Sequence, residues 1–598
     1  MTDSEVTENS GENPAEIPAE IAPVGPPPDP PGWLTRLARR PKTLLAVLGL
    51  LLWLPGILSL PPLDRDESRF AQSSRQMVES GNWVDIRFGH VPRYKKPVGI
   101  YWLQTTANKL AGFGQDHKIW TYRLPSLLGA IAAAWATVWI AAAVTSAEGA
   151  LLAGLLMLGS VLLTAEATIA TTDAVLLACV LVVQGVLLRL YRAAREPDAP
   201  AVSNKMILWG WAAAAAGILV KFPVVPGVAL VTIIALGGWD IWLRRKSREP
   251  GALRWLKDTR PLRGVILLLL LILPWLVAIT IQSRGEFLEQ SLGNDFATKL
   301  AGGQESHGML PGYYLLLSAA TFFPAILFVL PGLVQGIAHR HEAGIRFLLA
   351  WAGAWWLVVE LVPTKLPHYV LSSYPALAIL AAMFVLDGRT VKFLSAARWI
   401  AVAQYVIGAG LLTAALVMGP HYFAGPDFQI PHAWPLLAAA GVGACLALAV
   451  LVLALLRNSA LAVMLSLPAM LVFVPALTAY AGPRLDQLWV TEKLKPLVER
   501  VSKPGDAPLV LAGYQEPSML FAFGKDVVLR DGAGAVDANW PIGGLALVED
   551  SERGAFLARL AEREADAEVV GEVSGFNYSR GRRVHILLYR LPGTRHLS

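Results

Sequence analysis

The sequence predicts a polytopic α-helical membrane protein with interfacial helices in its first loop and a small α/β domain outside the membrane at its C-terminus. Three observations predict it. The 598 residues are 55 % hydrophobic and only 16 % charged, and a mean hydropathy of +0.49 lies above that of soluble domains. Crossing roughly 30 Å of hydrocarbon takes about 20 apolar residues, and stretches of that kind recur about thirteen times. Beyond about residue 482 the pattern changes to short, alternating strand and helix signals.

The expected spans are 43–61, 124–144, 148–164, 173–191, 205–220, 222–239, 262–281, 312–336, 346–362, 371–386, 397–418, 435–456 and 459–480. The fifth and sixth are short and meet at Lys221-Phe222-Pro223. Arg36, Arg39, Arg40 and Lys42 precede the first span, Arg192 and Arg195 follow the fourth, and "LRRKSREPGALRWLKDTRPLR" follows the sixth. Positive charge is retained in cytoplasmic loops, so the N-terminus is expected in the cytoplasm and, after an odd number of spans, the C-terminal domain outside. The net charge of +6 follows that topology, and no nucleic-acid partner is expected. Residues 1–32 are rich in Pro and acidic side chains, without Lys or Arg, and read as a disordered cytoplasmic tail. This tail lacks the basic start and short apolar core of a cleaved signal peptide, so the first span is expected to remain as a helix. Cys179 and Cys445 fall inside spans, which suggests neither a disulfide framework nor a cysteine metal site.

With this topology, 62–123 is a long outer loop, too long for an idle connection. "DESRFAQSSRQMVESG" and "PVGIYWLQTTANKLAG" read as amphipathic helices at the membrane surface. The C-terminal stretch runs "DQLWVTEKLKPLVERVS" (helix), "APLVLAGY" (strand), "PSMLFAFG" (helix), "DVVLR" and "GLALVED" (strands), "ERGAFLARLAEREA" (helix) and "VHILLYRL" (strand). That is a small α/β domain. Gly532 and Gly534 in "DGAGAVDANWPIGG" lack the spacing of a phosphate-binding turn.

Reactive side chains gather on the outer side, each with an ordinary and a chemical reading. Asp66 suits an N-cap, but Asp64, Asp66 and Glu67 cannot all cap one helix, and the extra carboxylates suit metal binding or the orientation of a hydroxyl. Lys95 and Lys96 read as snorkelling lysines with Tyr101 and Trp102 as interfacial aromatics, or, with Arg93, as a cluster that neutralises a lipid-linked phosphate. Glu166 and Asp173 mark span ends or contribute to a site facing the first loop. Lys221 snorkels or meets a phosphate at a Pro-broken turn. Lys365, His368 and Tyr369 in "PTKLPHYVLSSYP" anchor an interface or join the site. Glu305 and His307 form a Glu-x-His pair that suits a metal, although two ligands do not define a centre.

Taken in order, Asp66, Glu67, Arg69, Phe70 and Ala71, then Gly81-Asn82-Trp83, Lys96-Pro97 with Tyr101-Trp102, Arg123-Leu124-Pro125, Asp173 and Lys365-Leu366-Pro367-His368-Tyr369 resemble the aminoarabinose-transferase and protein-mannosyltransferase superfamily. These are polytopic glycosyltransferases of the GT-C class. The resemblance implies a membrane part over 33–481 that carries catalysis and a periplasmic domain over 482–598, in the inner membrane. It implies inverting transfer of a monosaccharide from a polyprenyl-phosphate carrier to a lipid acceptor such as lipid A, or to a protein. Asp66 matches the first-loop catalytic aspartate, Asp173 the second acid of the family pattern, expected to be catalytic with it, and Lys96 the lysine at the carrier phosphate; Lys365 and Tyr369 match the late-loop motif. Glu67, Arg69, Lys95, Tyr101, Lys221 and His368 are expected to support substrate binding. Lys95 stands where aminoarabinose transferases commonly carry a metal-holding Glu, so a divalent metal is the one possible cofactor and its use is open. The rival within the class is a protein O-mannosyltransferase-like enzyme. The rival outside it is a transporter or lipid flippase, for which neither broken midplane helices nor an internal repeat stands out.

Overall fold

The structure, a computed structural model, describes residues 30–593 except 112–116, 245–252, 292–308, 388–393, 426, 427, 429 and 541. Among the described residues ten helices are long and apolar enough to cross a membrane, and eleven if the bent pair Ala147–Leu158 and Val161–Thr168 is one span. All thirteen expected stretches are helical, but three depart from a simple span. The third bends by 61° at Gly159-Ser160, where the Val161 amide donates to the Phe323 carbonyl at 3.1 Å. Residues 312–336 form two helices, Tyr313–Thr321 and Ile326–Ala338, parted around Pro324, because proline cannot supply a helical amide. The fifth is an 18-residue helix, Asn204–Lys221, polar at both ends and not among the ten.

The first loop holds helices Asp66–Ser80 and Gly99–Leu110, as expected, with a short antiparallel pair, β1 (Arg87–Phe88) and β2 (Val91–Pro92), between them. The helix Asp66–Ser80 is not a simple surface helix. Its polar residues Gln72, Ser74 and Gln76 are buried, with Ser74 Oγ donating to Gln104 Oε1 at 2.7 Å and Arg75 to the Phe521 carbonyl at 2.7 Å. Ser74, Arg75 and Gln76 find partners at both sides of the helix, because it lies between the membrane part and the C-terminal domain.

That domain begins with helix Val490–Val501 and forms a five-stranded sheet in the order β4-β3-β5-β7-β6. Its strands are β3 (Ala507–Ala512), β4 (Val528–Arg530), β5 (Gly544–Glu549), β6 (Glu568–Asn577) and β7 (Arg582–Leu591). β3 pairs parallel with β4 and β5, whereas β7 runs antiparallel between β5 and β6. Two elements go beyond the sequence expectation. The Gly-rich stretch forms helix Gly532–Asn539, capped by Asp531 Oδ1 accepting from the Gly534 amide at 2.7 Å. β6 is an edge strand of mixed exposure, so it lacks the apolar run that marks β5.

Candidate active site

A cavity of about 360 Å³ lies at one end of the membrane helices, walled by the first loop on one side and by helix ends on the other. The first-loop wall supplies Asp66, Arg69, Arg93, Lys95 and Lys96, and the opposite wall Glu166, Asp173, Lys221, His368 and Tyr369. The fold therefore brings together most of the polar residues that the sequence singles out.

Glu67 holds the corner between the walls. Arg123 Nε and Nη2 donate to its two carboxylate oxygens, each at 2.8 Å. The Leu63 and Ala170 amides donate to the same carboxylate at 2.8 and 2.7 Å. Arg123 also donates to the carbonyls of Ile57, Leu60 and Pro61, tying the end of the first span to the second. A paired and hydrogen-bonded charge can be fully buried, and here both side chains are. Glu67, expected to bind substrate, instead shapes the wall, since its oxygens are already occupied.

Asp66 opens the first-loop helix but does not cap it. Arg65 occupies the N-cap position, and no side chain supplies a cap bond. The Asp66 carboxylate is 62 % exposed and lies 3.6 Å from Arg69, itself 34 % exposed. It is thus an available acid at the cavity rim, with basic groups close by.

The opposite wall is tighter. Lys221 Nζ donates to Asp173 Oδ1 at 2.7 Å, with both side chains largely buried. Thr172 Oγ1 donates to Asp173 Oδ2 at 2.9 Å, and Thr171 Oγ1 to Glu166 Oε2 at 2.8 Å. The His368 ring lies between the two acids, 3.7 Å from Glu166 and 3.9 Å from Asp173, with Nε2 3.4 Å from Lys221 Nζ. Tyr369 adds an aromatic face 5.9 Å from Lys221 Nζ.

Two expected substrate contacts are placed elsewhere. Lys365 is buried, and its ammonium donates to the carbonyls of Val359, Glu360 and Val362 at 3.4, 2.6 and 3.0 Å. It closes the C-terminus of helix Ala343–Leu361, where unpaired carbonyls favour a cation. Its neighbours Thr364 and Leu366 line the cavity instead. Tyr101 is fully buried with its ring 5.6 Å from that of Phe70, so it supports the first-loop wall from behind. Glu305 and His307 lie outside the described residues.

Asp64 has a role that the sequence does not reveal. Its carboxylate accepts from the Ser518 amide at 3.3 Å and the Tyr514 hydroxyl at 3.5 Å, and its amide donates to the Tyr578 hydroxyl at 2.6 Å. Burial, reinforced by Glu516, pushes its carboxyl up to about 6 although Ser518 and Tyr514 pull the other way. These partners lie 450 or more positions along the chain, beyond any local pattern.

A divalent metal does not fit the described residues. None of them forms a group of three or more His, Cys, Asp or Glu able to hold one. Asp66, Glu67 and Asp173 are already matched to Arg69, Arg123 and Lys221, and Glu166 accepts from the Thr171 hydroxyl beside the His368 ring.

Comparison with known proteins bears on the fold. The family profile described as dolichyl-phosphate-mannose-protein mannosyltransferase matches residues 61–284. An undecaprenyl phosphate-alpha-4-amino-4-deoxy-L-arabinose arabinosyl transferase from Edwardsiella ictaluri is 28 % identical over 393 residues, 65 % of this chain and 65 % of that one. One of the same name from Erwinia tasmaniensis is 27 % identical over 59 % of this chain and 61 % of its own. The chain thus matches less than two thirds of the length of these relatives. Among solved structures, ArnT from Cupriavidus metallidurans bound to undecaprenyl phosphate superposes with a TM-score of 0.69 at 19 % identity, over 93 % of this chain and 98 % of that one. The Archaeoglobus fulgidus oligosaccharyltransferase AglB gives 0.51 at 10 % identity, over 94 % and 77 %.

Proposed function

Starting from a multi-pass membrane protein of the GT-C fold, like the aminoarabinose transferases and mannosyltransferases, we propose that this chain is an inverting glycosyltransferase. It takes a monosaccharide from a polyprenyl-phosphate carrier and passes it to lipid A or a related lipid on the non-cytoplasmic face of the inner membrane. The observation that carries the reading is the exposed Asp66 carboxylate at a cavity it shares with Arg69, Arg93, Lys95 and Lys96. That is an acid beside a cluster of phosphate-binding cations.

The donor phosphate sits against Lys96, Lys95, Arg93 and Arg69, which stabilise the charge left when the bond between the anomeric carbon and the phosphate oxygen breaks. The acceptor oxygen attacks that carbon from the opposite face, inverting it. Asp66 orients the acceptor and takes its proton where the acceptor is a hydroxyl. A phosphate acceptor attacks as an anion and need lose no proton, and Asp66 then acts by orientation alone. The Lys221, Asp173, His368 and Glu166 network presents a fixed polar wall to the sugar. A cavity of about 360 Å³ falls in the size range of small-ligand sites, and its place at the ends of apolar helices suits substrates that arrive through lipid. The basic loops and the N-terminal Arg and Lys cluster favour a cytoplasmic N-terminus and a periplasmic C-terminal domain.

The family profile over 61–284 favours one second reading, a protein acceptor. Purified protein with a labelled polyprenyl-phosphate sugar, offered lipid or peptide acceptors, tests both. Label moving to lipid supports the proposal, and label moving only to peptide replaces it with the second. No transfer at all, or Asp66→Asn with unchanged turnover, sinks the catalytic reading.

A further inference from the structure

The residue preceding Asp66 has an unusual backbone. Arg65 lies at φ 65° and ψ −119°, a region that side-chain-bearing residues avoid and occupy only when their surroundings over-determine it. Two restraints come from the first-loop helix itself: the Leu63 amide on Glu67 and Ser68 Oγ on the Leu63 carbonyl. The others come from the C-terminal domain. Tyr578 and Ser518 bind the amide and carboxylate of Asp64, the Tyr514 hydroxyl reaches the same carboxylate, and the Arg65 guanidinium donates to the Ser579 carbonyl.

These contacts occupy a definite place in the sheet. β3 has β4 on one side and β5 on the other, both parallel to it, so its C-terminal end is where the strand order reverses. Open α/β sheets take ligands at such a point. Here Tyr514 and Ser518, just beyond β3, receive Asp64 of the same chain. Asn577 Nδ2 donates to Glu516 Oε1 at 2.8 Å, joining that loop to the turn between β6 and β7 that carries Tyr578 and Ser579. The two loops form one holder.

We propose that the C-terminal domain sets the geometry of the reaction site: Asp64 and Arg65 are positioning residues through which Tyr514, Ser518, Tyr578 and Ser579 hold the strained turn that presents Asp66 to the cavity. The activity arm of its test rests on the transferase reading. The structural arm does not.

The test uses the full chain in lipid nanodiscs, with hydrogen exchange alongside steady-state sugar transfer. Asp64→Ala speeds exchange at 63–66 and 514–520 and leaves 119–141 and 173–193 as in wild type. It lowers kcat about tenfold or more, as expected when a reacting group is misplaced, and keeps KM for the donor within about twofold. Asp64→Asn, which retains an oxygen for the Ser518 amide, restores most of kcat. Tyr578→Phe gives a weaker form of the same pattern and serves if Asp64→Ala does not fold. Unchanged exchange at 63–66 in Asp64→Ala and Tyr578→Phe, or wild-type kcat in both, overturns the inference. A wild type that transfers no sugar overturns the transferase reading alone, and the exchange arm still decides the role of the turn.

Discussion

The two walls of the cavity are built differently. On the helix-end wall Asp173 and Lys221 meet at 2.7 Å with side chains only 9 % and 13 % exposed. On the first-loop wall Asp66 and Arg69 stand 3.6 Å apart at 62 % and 34 %. Coulombic attraction grows as water is removed, so the first pair is a fixed element and the second is open to exchange partners with a substrate. A preorganised wall can hold a sugar while a wetter one accepts phosphate and supplies the reacting acid. The difference teaches that ion pairing at one site can serve either rigidity or availability, according to burial.

Mutations that separate the walls sharpen this comparison. Asp66→Asn is expected to lower kcat by about 10²-fold or more, the usual scale for a general base. Its folding stability, read by thermal unfolding, stays within about 0.5 kcal/mol of wild type, as for exposed substitutions. A concurrent large loss of stability breaks the contrast. Arg123→Ala leaves the buried Glu67 carboxylate without its partner and is expected to cost about 3–5 kcal/mol, read by thermal unfolding in detergent.

Asp64 predicts a pH effect of about 3 kcal/mol, for a shift of about two units. Its carboxyl is raised from 3.8 to about 6 in the folded chain. The folded state therefore holds this proton more tightly. Its contribution favours folding most below about pH 4, declines as pH rises to about 6, and is constant above. Unfolding of wild type against Asp64→Asn, scanned from pH 4 to 7, checks it: the difference should change over that window and be flat beyond. The smallest effect belongs to Lys95→Ala, an exposed position. KM for the donor should rise several-fold with little change in stability. Activity that depends on added divalent cation, abolished by chelation, would contradict the donor set described for this cavity.

Much of the fold was legible because membrane spans are long and repetitive. An apolar run of about 20 residues is a strong signal, and each expected run proved helical. What was not legible was the breaking of runs, as at Gly159-Ser160, where a bond from Val161 to a distant carbonyl fixes the bend. Within the site, Asp66, Asp173, Lys221 and His368 could be named because charge next to apolar helix ends is conspicuous. Lys365 was expected in the site because it opens the late-loop motif Lys-Leu-Pro-His-Tyr, whereas its reach is used by the carbonyls of the helix before it. β6 escaped because its exposure is mixed.

By itself the sequence determined the membrane character, the set of apolar helices, the alternating elements of the C-terminal domain and the acidic and basic residues near the helix ends. These follow from composition and period, which are properties of neighbours along the chain. Only the tertiary structure decided which charges are already paired and which face the cavity, and that Asp64 joins the first loop to residues 450 or more positions away. Burial and pairing depend on atoms that meet across the fold, and no local pattern records them.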